Sequence, residues 1–293
     1  MSARRVLVVG DIAVDVVAVL PGPLAAGSDS PARIRHTRGG AGANVAAWLA
    51  RLGVPVTLVG RVGADLAGRE QLSALQDDGV QLAVTVDPAE PTGTVVVLVD
   101  SAGERSMVPD RGANRTLSAL DLPRSLLATA SHLHVSGYPL LEPRTTAVVL
   151  EAMGAARELG LSVSVDPAST LPLARFGPDR FLAATAGTDL LLPNEPEARL
   201  LTGIEDTGSA AGALAERYPA VVVTRGAAGC TWARPGGCGS LPSLATDVVD
   251  TTGAGDAFSA GVLQAWLAGA DLPECAAAGS RTAAEAVART GSR

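Results

Sequence analysis

The sequence predicts an α/β fold: a doubly wound, mainly parallel sheet flanked by helices and accompanied by a small additional β-sheet. Short apolar runs alternate with stretches of helical periodicity, and most of these runs end in Gly, Asp, Pro or Asn. Such runs are typical of strands buried on both faces, and their alternation with helices is typical of a parallel sheet. Two further regions of the chain interrupt the alternation and predict the additional sheet.

The main sheet is predicted from six apolar runs, which are residues 4–11, 54–60, 131–137, 161–167, 188–194 and 220–226. Apolar residues at helical spacing, often with Gly just past the end, predict helices over 42–53, 142–160, 195–203 and 209–218, and one that begins after Gly255. In sheets of this kind, ligands bind at the carboxyl ends of the strands, so we expect the functional site at that edge.

The additional sheet is predicted from segments 14–20, 32–40 and 93–108, with the tetrapeptide SAGE as a hairpin turn. We interpret them as antiparallel strands in two insertions, approximately 12–38 and 92–110. A sheet built in this way would cover the ligand edge of the main sheet as a lid.

Composition indicates one domain over residues 1–293, because the chain is 47% hydrophobic and long enough to bury a large core. A net charge of -7, without any basic run, argues against nucleic-acid binding. The longest apolar runs are too short to cross a bilayer, and the N-terminus lacks a cleavage-site pattern. We therefore expect a cytoplasmic protein without membrane association.

The basic residues are all arginine: the chain contains 23 of them and no lysine. This excludes a P-loop lysine, a protein-kinase strand lysine and a Schiff-base lysine. Three cysteines without C-x-x-C spacing predict neither a disulfide framework nor a zinc site. His132 and His134 share one face of a predicted strand, but no third metal ligand is evident, and an interior pair is the favoured interpretation.

The segment DVVDTTGAGDAF, residues 247–258, carries the strongest chemical signal. After the turn Gly253, Ala254 and Gly255 a helix begins, and its free N–H groups and dipole predict a site for negative charge. Asp256, in the first helical turn, could accept a proton from an alcohol, although an acid at this position is also typical of a simple helix cap. Asp250 and Thr252 offer oxygen atoms that would fix the loop or bind a monovalent cation.

Two other motifs stand at predicted helix starts. In RGGAGANVAAWLARLG, Gly40 allows close approach of a ligand and the amide of Asn44 can hydrogen-bond a hydroxyl, but a glycine-rich turn that serves packing is an equal alternative. In PNEPEARLLTG, Asn194 and Glu197 suit magnesium bound through water, and the alternative is a capped first turn.

Together these segments resemble the ribokinase, or phosphofructokinase-B (PfkB), family of carbohydrate kinases. DTTGAGDAF resembles the second signature of that family and GGAGANVAAWLARLG the first, while PNEPEARLLTG and VVVTRGAAG resemble its metal and nucleotide motifs. The motifs follow the family's order across almost the whole chain. The resemblance implies a ribokinase-like fold and ATP-dependent, magnesium-assisted phosphorylation of a sugar-like hydroxymethyl group, with a lid that often forms a homodimer contact.

The resemblance also implies residue roles. Asp256 would be the catalytic base, beside an anion hole that includes Ala254 and Gly255. Acceptor hydroxyls would be bound by Asp15, Gly40 and Asn44. The magnesium and phosphate region would include Asn194 and Glu197, and the nucleotide-binding loop Thr224, Gly226 and Gly229. Asp250 and Thr252 would belong to a monovalent-cation loop, which raises the question of potassium dependence.

The chain departs from ribokinases proper at two positions, which argues against ribose. Ala41 stands in place of their lysine, and Ala13 stands where they usually carry a ribose-binding asparagine. Arg105 and Arg111 would serve an acidic sugar such as 2-keto-3-deoxygluconate, unless they are ordinary solvated arginines. The acceptor is thus a sugar or sugar acid, and the alternatives are a nucleoside kinase of the adenosine or pseudouridine type and a catalytically silent sugar or nucleotide sensor.

Overall fold

The computed structural model describes residues 5–101, 103–245, 247–289 and 291–293. Within them lie thirteen strands. The strands are β1 (Val6–Val9), β2 (Ala13–Val19), β3 (Arg33–Gly39), β4 (Val56–Gly63), β5 (Gln81–Asp87), β6 (Gly93–Val99), β7 (Arg105–Asp110), β8 (His132–Ser136), β9 (Ser162–Asp166), β10 (Leu190–Leu191), β11 (Ala220–Thr224), β12 (Cys230–Arg234) and β13 (Gly237–Leu241).

The same residues contain eleven α-helices. The helices are α1 (Ala41–Arg51), α2 (Leu66–Asp77), α3 (Arg124–Leu127), α4 (Gly137–Leu141), α5 (Thr146–Glu158), α6 (Thr170–Phe176), α7 (Pro178–Ala184), α8 (Glu195–Thr202), α9 (Thr207–Ala215), α10 (Ala254–Ala268) and α11 (Leu272–Val287). Short 3-10 turns occupy Gly112–Thr116, Ala119–Asp121 and Gly226–Ala228.

The main sheet has nine strands in the order β13-β12-β11-β10-β9-β8-β1-β4-β5. Every pairing from β11 through to β5 is parallel, whereas β12 and β13 pair antiparallel at one edge. The prediction of a mainly parallel sheet is confirmed. Three strands have no predicted apolar run: β5 and β13 are the two edge strands, and β12 lies next to β13. Exposed or partly exposed residues interrupt the apolar run in each of them.

Helices cover both faces of the main sheet, as a doubly wound fold requires. Along β1, Leu7 and Val9 pack into one apolar cluster and Val6 and Val8 into another. The first cluster includes residues of helices α5 to α9, and the second includes residues of α1, α2, α10 and α11. Burial of every residue of β1 explains why this strand reads as an unbroken apolar run.

The small sheet has four strands in the order β3-β2-β6-β7. The outer pairs, β2 with β3 and β6 with β7, are antiparallel as predicted, but the central pair of β2 and β6 is parallel, so the prediction is wrong for that pair. β2 and β6 follow β1 and β5, which run parallel in the main sheet, and both therefore leave its carboxyl edge in one direction. The predicted SAGE turn joins β6 to β7; its second residue lies outside the described part of the chain.

The histidine pair lies in the interior. His132 and His134 are fully buried on β8, where their ring nitrogens hydrogen-bond the hydroxyl groups of Ser162 and Ser164 at 2.7 to 2.8 Å. Burial lowers the pKa of each histidine to about 3, so both rings stay neutral. Cys230 and Cys275 are buried and Cys238 is exposed, all as free thiols. None of the helices in the described ranges has both the length and the apolar character to cross a bilayer.

Candidate active site

The first glycine motif brings helix α1 close to the carboxyl end of β1. A Cβ atom on Gly10 would lie 2.4 Å from the Cα of Gly42, and one on Gly40, whose φ is +90°, would lie 2.5 Å from the carbonyl oxygen of Asp11. Any larger residue would force these backbones apart. The glycines therefore serve packing, and that packing sets Asn44 in the first turn of α1 against the first turn of α10.

Asp256 lies in the first turn of α10 and is bound from outside its own helix. Gly253 is the N-cap residue, with a left-handed φ of 74°, and the Asp256 carboxylate accepts a 2.8 Å hydrogen bond from Asn44 Nδ2. The helix-cap interpretation therefore does not describe this carboxylate. Burial raises the pKa of Asp256 well above its usual value and nearby carboxylates raise it further, whereas the Asn44 bond lowers it. A buried carboxylate with a raised pKa is a stronger proton acceptor.

A cavity of about 580 Å³ opens on one side of Asp256. It brings together the predicted nucleotide-loop and anion-hole residues, and its lining includes Thr224, Gly226, Gly229, Thr251, Ala254 and Gly255. A Cβ atom on Gly255 would meet nothing within 4 Å, so the backbone of this first helical turn faces open space. The N–H groups of a first turn lack partners within their helix, and such a turn is suited to binding phosphate.

Asp11 and Asp15, from the end of β1 and from β2, lie near enough to Asp256 for their charges to raise its pKa. Asp15 is 8% exposed. A Cβ atom on Gly39 would lie 2.3 Å from its Oδ1 atom, so this carboxylate packs directly against the backbone of Gly39, where a side chain would not fit. Burial and the charge of Asp11 raise the pKa of Asp15 to about 6, although the charge of Arg293 opposes the shift.

A second cavity, of about 350 Å³, opens beside Asp11 and Arg111. Asp11 accepts a hydrogen bond from the backbone N–H of Gly42 at 3.3 Å and forms a 3.4 Å ion pair with Arg111. The predicted substrate residue Arg111 therefore does line a cavity, and it does so next to the carboxylate cluster. Neighbours of Asp256 line both cavities: Gly255, next to it in the chain, lines the first, and Asp11, whose charge raises the pKa of Asp256, lines the second.

Asn194 and Glu197 form a capping box at the start of α8, as the alternative interpretation predicts. Asn194 Oδ1 accepts from the Glu197 N–H at 2.9 Å, while the Glu197 carboxylate accepts from the N–H and Nδ2 of Asn194. Neither residue lines the large cavity, but Asn194 pairs with Thr224, which does.

The donor set around Glu197 fits magnesium. Burial raises the pKa of both Glu197 and Asp166, and the charge of Asp166 raises that of Glu197 further. Asp166 is half-buried at the carboxyl end of β9, and its charge also raises the pKa of Asp256. Magnesium commonly uses one or two carboxylates together with water and phosphate oxygens. A divalent cation would relieve the repulsion between these two carboxyl groups, with Glu197 acting through water because Asn194 occupies its oxygens.

Asp250, the predicted cation-loop residue, is bound by arginines of the small sheet. Arg105 Nη2 lies 2.7 Å from Asp250 Oδ1, and Arg35 Nη2 lies 3.2 Å from Oδ2. Thr252 donates its N–H and hydroxyl to the same carboxylate, at 2.9 and 2.7 Å. Burial alone would raise the pKa of Asp250, but these hydrogen bonds and the charge of Arg105 lower it. Arg105, expected near an acidic substrate, thus lies at the loop before the glycine turn.

Sequence reasoning did not assign a role to Asp11 or Asp166. Each is the acid at the end of a buried strand of the parallel sheet, β1 in one case and β9 in the other. That position, at the edge where ligands bind, was the signal available for both. The pairing of Asp250 with Arg35 and Arg105 had no local signal, because it joins residues distant in sequence.

The chain is similar in sequence and in fold to several known proteins. A fructokinase of Klebsiella pneumoniae is 35% identical over 285 residues, which cover 94% of this chain and 88% of that protein. The structure of an adenosine kinase from Sinorhizobium meliloti superposes with a TM-score of 0.90 at 25% identity, covering 100% of this chain and 96% of that one. An E. coli chain assigned to ribokinase II, in complex with ATP and Mg²⁺, gives a TM-score of 0.87 at 25% identity, covering 99% and 94%.

The family model for pfkB carbohydrate kinases matches residues 3–293. This match covers both glycine motifs, the two cavities and the small sheet. The chain belongs to the pfkB family of carbohydrate kinases, which transfer a phosphoryl group to a hydroxyl group.

Proposed function

We propose that this protein transfers the γ-phosphoryl group of ATP to a hydroxyl group of a sugar or sugar acid, with Asp256 as the catalytic base. The observation that carries the proposal is the position of Asp256: Asn44 holds its carboxylate, its chain neighbour Gly255 lines the larger cavity, and Asp11, whose charge raises its pKa, lines the smaller one. A carboxylate placed there can take the hydroxyl proton as the oxygen attacks.

The larger cavity would hold ATP. Thr224, Gly226 and Gly229 would contact the nucleotide, and the first turn of α10, at Ala254 and Gly255, would bind the transferring phosphoryl group through its N–H groups. Asp166 and, through water, Glu197 would hold Mg²⁺, with Asn194 orienting Glu197. When bound, magnesium neutralises phosphate charge that grows during transfer. Because the chain contains no lysine, arginine side chains and this metal would supply the positive charge at the site, and backbone N–H groups would add partial positive charge.

The acceptor would lie between Asp15 and Asp256. Asp15 can accept hydrogen bonds from acceptor hydroxyls, and the bare backbone at Gly40 allows the acceptor to approach closely. Asn44 positions the Asp256 carboxylate so that it faces the attacking hydroxyl rather than its own helix. Arg111 marks the far end of the acceptor region, beside Asp11.

Asp250 and Thr252 would brace the loop before the glycine turn without a requirement for potassium. Guanidinium groups of Arg35 and Arg105 already supply positive charge to Asp250. The small sheet that carries these arginines would act as the lid.

We further propose a homodimer formed through the small sheet. Its strands expose the apolar side chains of Val19, Ile34, Val96, Met107 and Val108, which are between 36% and 62% exposed. Val96 and Val108 are direct cross-strand neighbours, so the exposed apolar surface is continuous there. Sedimentation of the wild type and of Val108→Glu tests this proposal. A monomeric wild type would contradict it.

We also propose a cytoplasmic location. The proposed use of ATP and the three free thiols support it.

A nucleoside kinase is the second candidate, supported by the structural similarity to the Sinorhizobium meliloti adenosine kinase. A screen of pentoses, hexoses, sugar acids, sugar phosphates and nucleosides with Mg-ATP separates the two, because only one class will give saturable turnover. A silent sensor would turn over none of them.

Asp256→Asn tests the central assignment. The variant keeps the size and the hydrogen-bonding capacity of the side chain but cannot take a proton, so turnover should fall at least about a thousandfold. ATP binding, measured by calorimetry, and the unfolding transition should stay close to the wild type. Asp179→Asn, in the exposed first turn of α7, is the matched control. Retention of most activity in Asp256→Asn would contradict the proposal.

A further inference from the structure

The cavity beside Asp11 is lined by four arginines, which are Arg111, Arg115, Arg175 and Arg180. They come from the segment after β7, from helix α6 and from helix α7. The protein as a whole is acidic, with a net charge of -7, so a concentration of arginine around a cavity of about 350 Å³ stands out from its surroundings. The same lining includes two acids, Asp11 and Glu142.

The two acids do not neutralise the four arginines. Arg111 pairs with Asp11 at 3.4 Å and Arg115 with Glu142 at 3.7 Å, which accounts for both carboxylates. Within the described residues, no ion pair is found for Arg175 or Arg180. The cavity wall therefore carries two positive charges in excess, and both belong to the helices α6 and α7.

Aromatic rings hold two of these arginines in place. The Arg111 guanidinium carbon lies 3.6 Å from the centre of the Tyr138 ring, and that of Arg180 lies 4.2 Å from the centre of the Phe176 ring. A guanidinium that stacks on a ring uses its face and leaves its edge, where the N–H donors lie, free. Stacking therefore orients these donors in advance without consuming them.

We propose that this cavity is a subsite for an anionic group of the acceptor, a phosphate monoester or a carboxylate, so that the preferred acceptor is an anionic sugar. Planar guanidinium groups bind both anions through paired N–H donors. The inference rests on the proposed function, because Asp11 connects the cavity to the carboxylate cluster around Asp256. One end of the acceptor would present its hydroxyl to Asp256 while its anionic group lies among the arginines.

The test compares matched acceptors in steady-state assays with Mg-ATP. The pairs are fructose with fructose 1-phosphate, ribose with ribose 1-phosphate, and glucose with gluconate, so that separate arms distinguish phosphate from carboxylate. We expect kcat/KM at least about tenfold higher for the anionic member of at least one pair, as expected for charge-assisted hydrogen bonds. In Arg175→Gln/Arg180→Gln this preference should fall about tenfold or more, mainly through KM.

Arg69→Gln is the matched control, because Arg69 is exposed on α2 and lies outside the cavity. It should leave the preference unchanged. A wild type that phosphorylates neutral sugars as efficiently as anionic ones, with no change in the double variant, would overturn the subsite while the kinase assignment stands. Calorimetric binding of an anionic sugar that weakens in the double variant, without turnover of any acceptor, would support the subsite and contradict the proposed function.

Discussion

Asn44 Nδ2 donates a 2.8 Å hydrogen bond to Asp256 Oδ2 and so joins the two glycine motifs, which lie at opposite ends of the chain. The bond stabilises the charged form of a carboxylate whose pKa burial has raised. In the proposed reaction the two residues would form a functional unit: Asp256 would accept the proton, and the bond from Asn44 would lower the pH above which it can do so.

Asn44→Ala should move the acidic limb of the kcat/KM profile to higher pH by about one unit, because a hydrogen bond to the charged form is lost. Activity should recover in part above that limb. The pH dependence of kcat/KM checks this expectation. Ser292→Ala removes the hydroxyl that bonds the Asn44 oxygen at 3.1 Å and the Arg38 carbonyl oxygen at 2.6 Å, but keeps the bond from Asn44 to Asp256, so it should shift the limb less. An unchanged limb in Asn44→Ala would show that Asp256 does not limit the acidic side.

The glycines of the turn should separate stability from nucleotide binding. Gly253 has a φ of +74°, and a Cβ atom there would lie 2.6 Å from the Ser292 carbonyl oxygen, so Gly253→Ala should lower the free energy of unfolding by about 2 kcal/mol or more. A Cβ atom on Gly255 would meet no neighbour, so Gly255→Ala should leave the free energy of unfolding unchanged or slightly higher. The added methyl group would lie in the proposed phosphate site, so the KM for ATP should rise about tenfold. Chemical unfolding and ATP titration measure both effects. Equal behaviour of the two variants would contradict this division.

Glu197→Gln should become more stable relative to the wild type as pH rises. Burial first, and then the charge of Asp166, raises the pKa of Glu197 above its ordinary value of 4.5. The folded protein therefore holds this proton more tightly than the unfolded chain, and the associated stability, complete below 4.5, is lost as pH rises through the raised pKa. Unfolding without Mg²⁺ at about pH 5 and about pH 8 should show the advantage of the variant growing with pH. A constant difference between the two proteins would rule this out.

Arg35 and Arg105 should make the enzyme indifferent to potassium. Rates in KCl, NaCl and choline chloride at equal ionic strength should agree within about twofold, since guanidinium charge already compensates Asp250. Arg105→Gln should reduce activity more than Arg35→Gln, because the Arg105 contact is shorter, at 2.7 against 3.2 Å, and its side chain is less exposed, at 27% against 43%. Strong stimulation of the wild type by KCl alone would be the contrary result.

Sequence patterns predict the central part of this fold and the position of its site. Strands such as β1 are buried on both faces and cannot vary in polarity, so their apolar runs are visible. The edge strand β13 alternates between partly exposed and exposed residues and gives no such run. The parallel pairing of β2 with β6 depends on the direction in which two separate insertions leave the main sheet, which local periodicity does not encode.

The candidate site shows the same limit. Asp256 is recognisable because chemistry and local structure coincide in one short motif. Arg175 and Arg180 are unremarkable in the sequence, since only the packing of α6 and α7 brings them to the wall that Arg111 also lines. Asn194 and Glu197 differ from these arginines, because their sequence motif is visible but has two interpretations, a helix cap and a magnesium site. Their mutual hydrogen bonds in the structure are those of a helix cap.

Asp250 is held from both edge strands of the small sheet, by Arg35 on β3 and Arg105 on β7. Its neighbour Thr251 lines the cavity proposed for ATP, while Asp15, on a central strand of the same sheet, belongs to the proposed acceptor region. A movement of the sheet would therefore reach both proposed binding sites at once. Thermodynamic linkage then requires reciprocity: whatever factor ATP contributes to the affinity for the sugar, the sugar must return to the affinity for ATP.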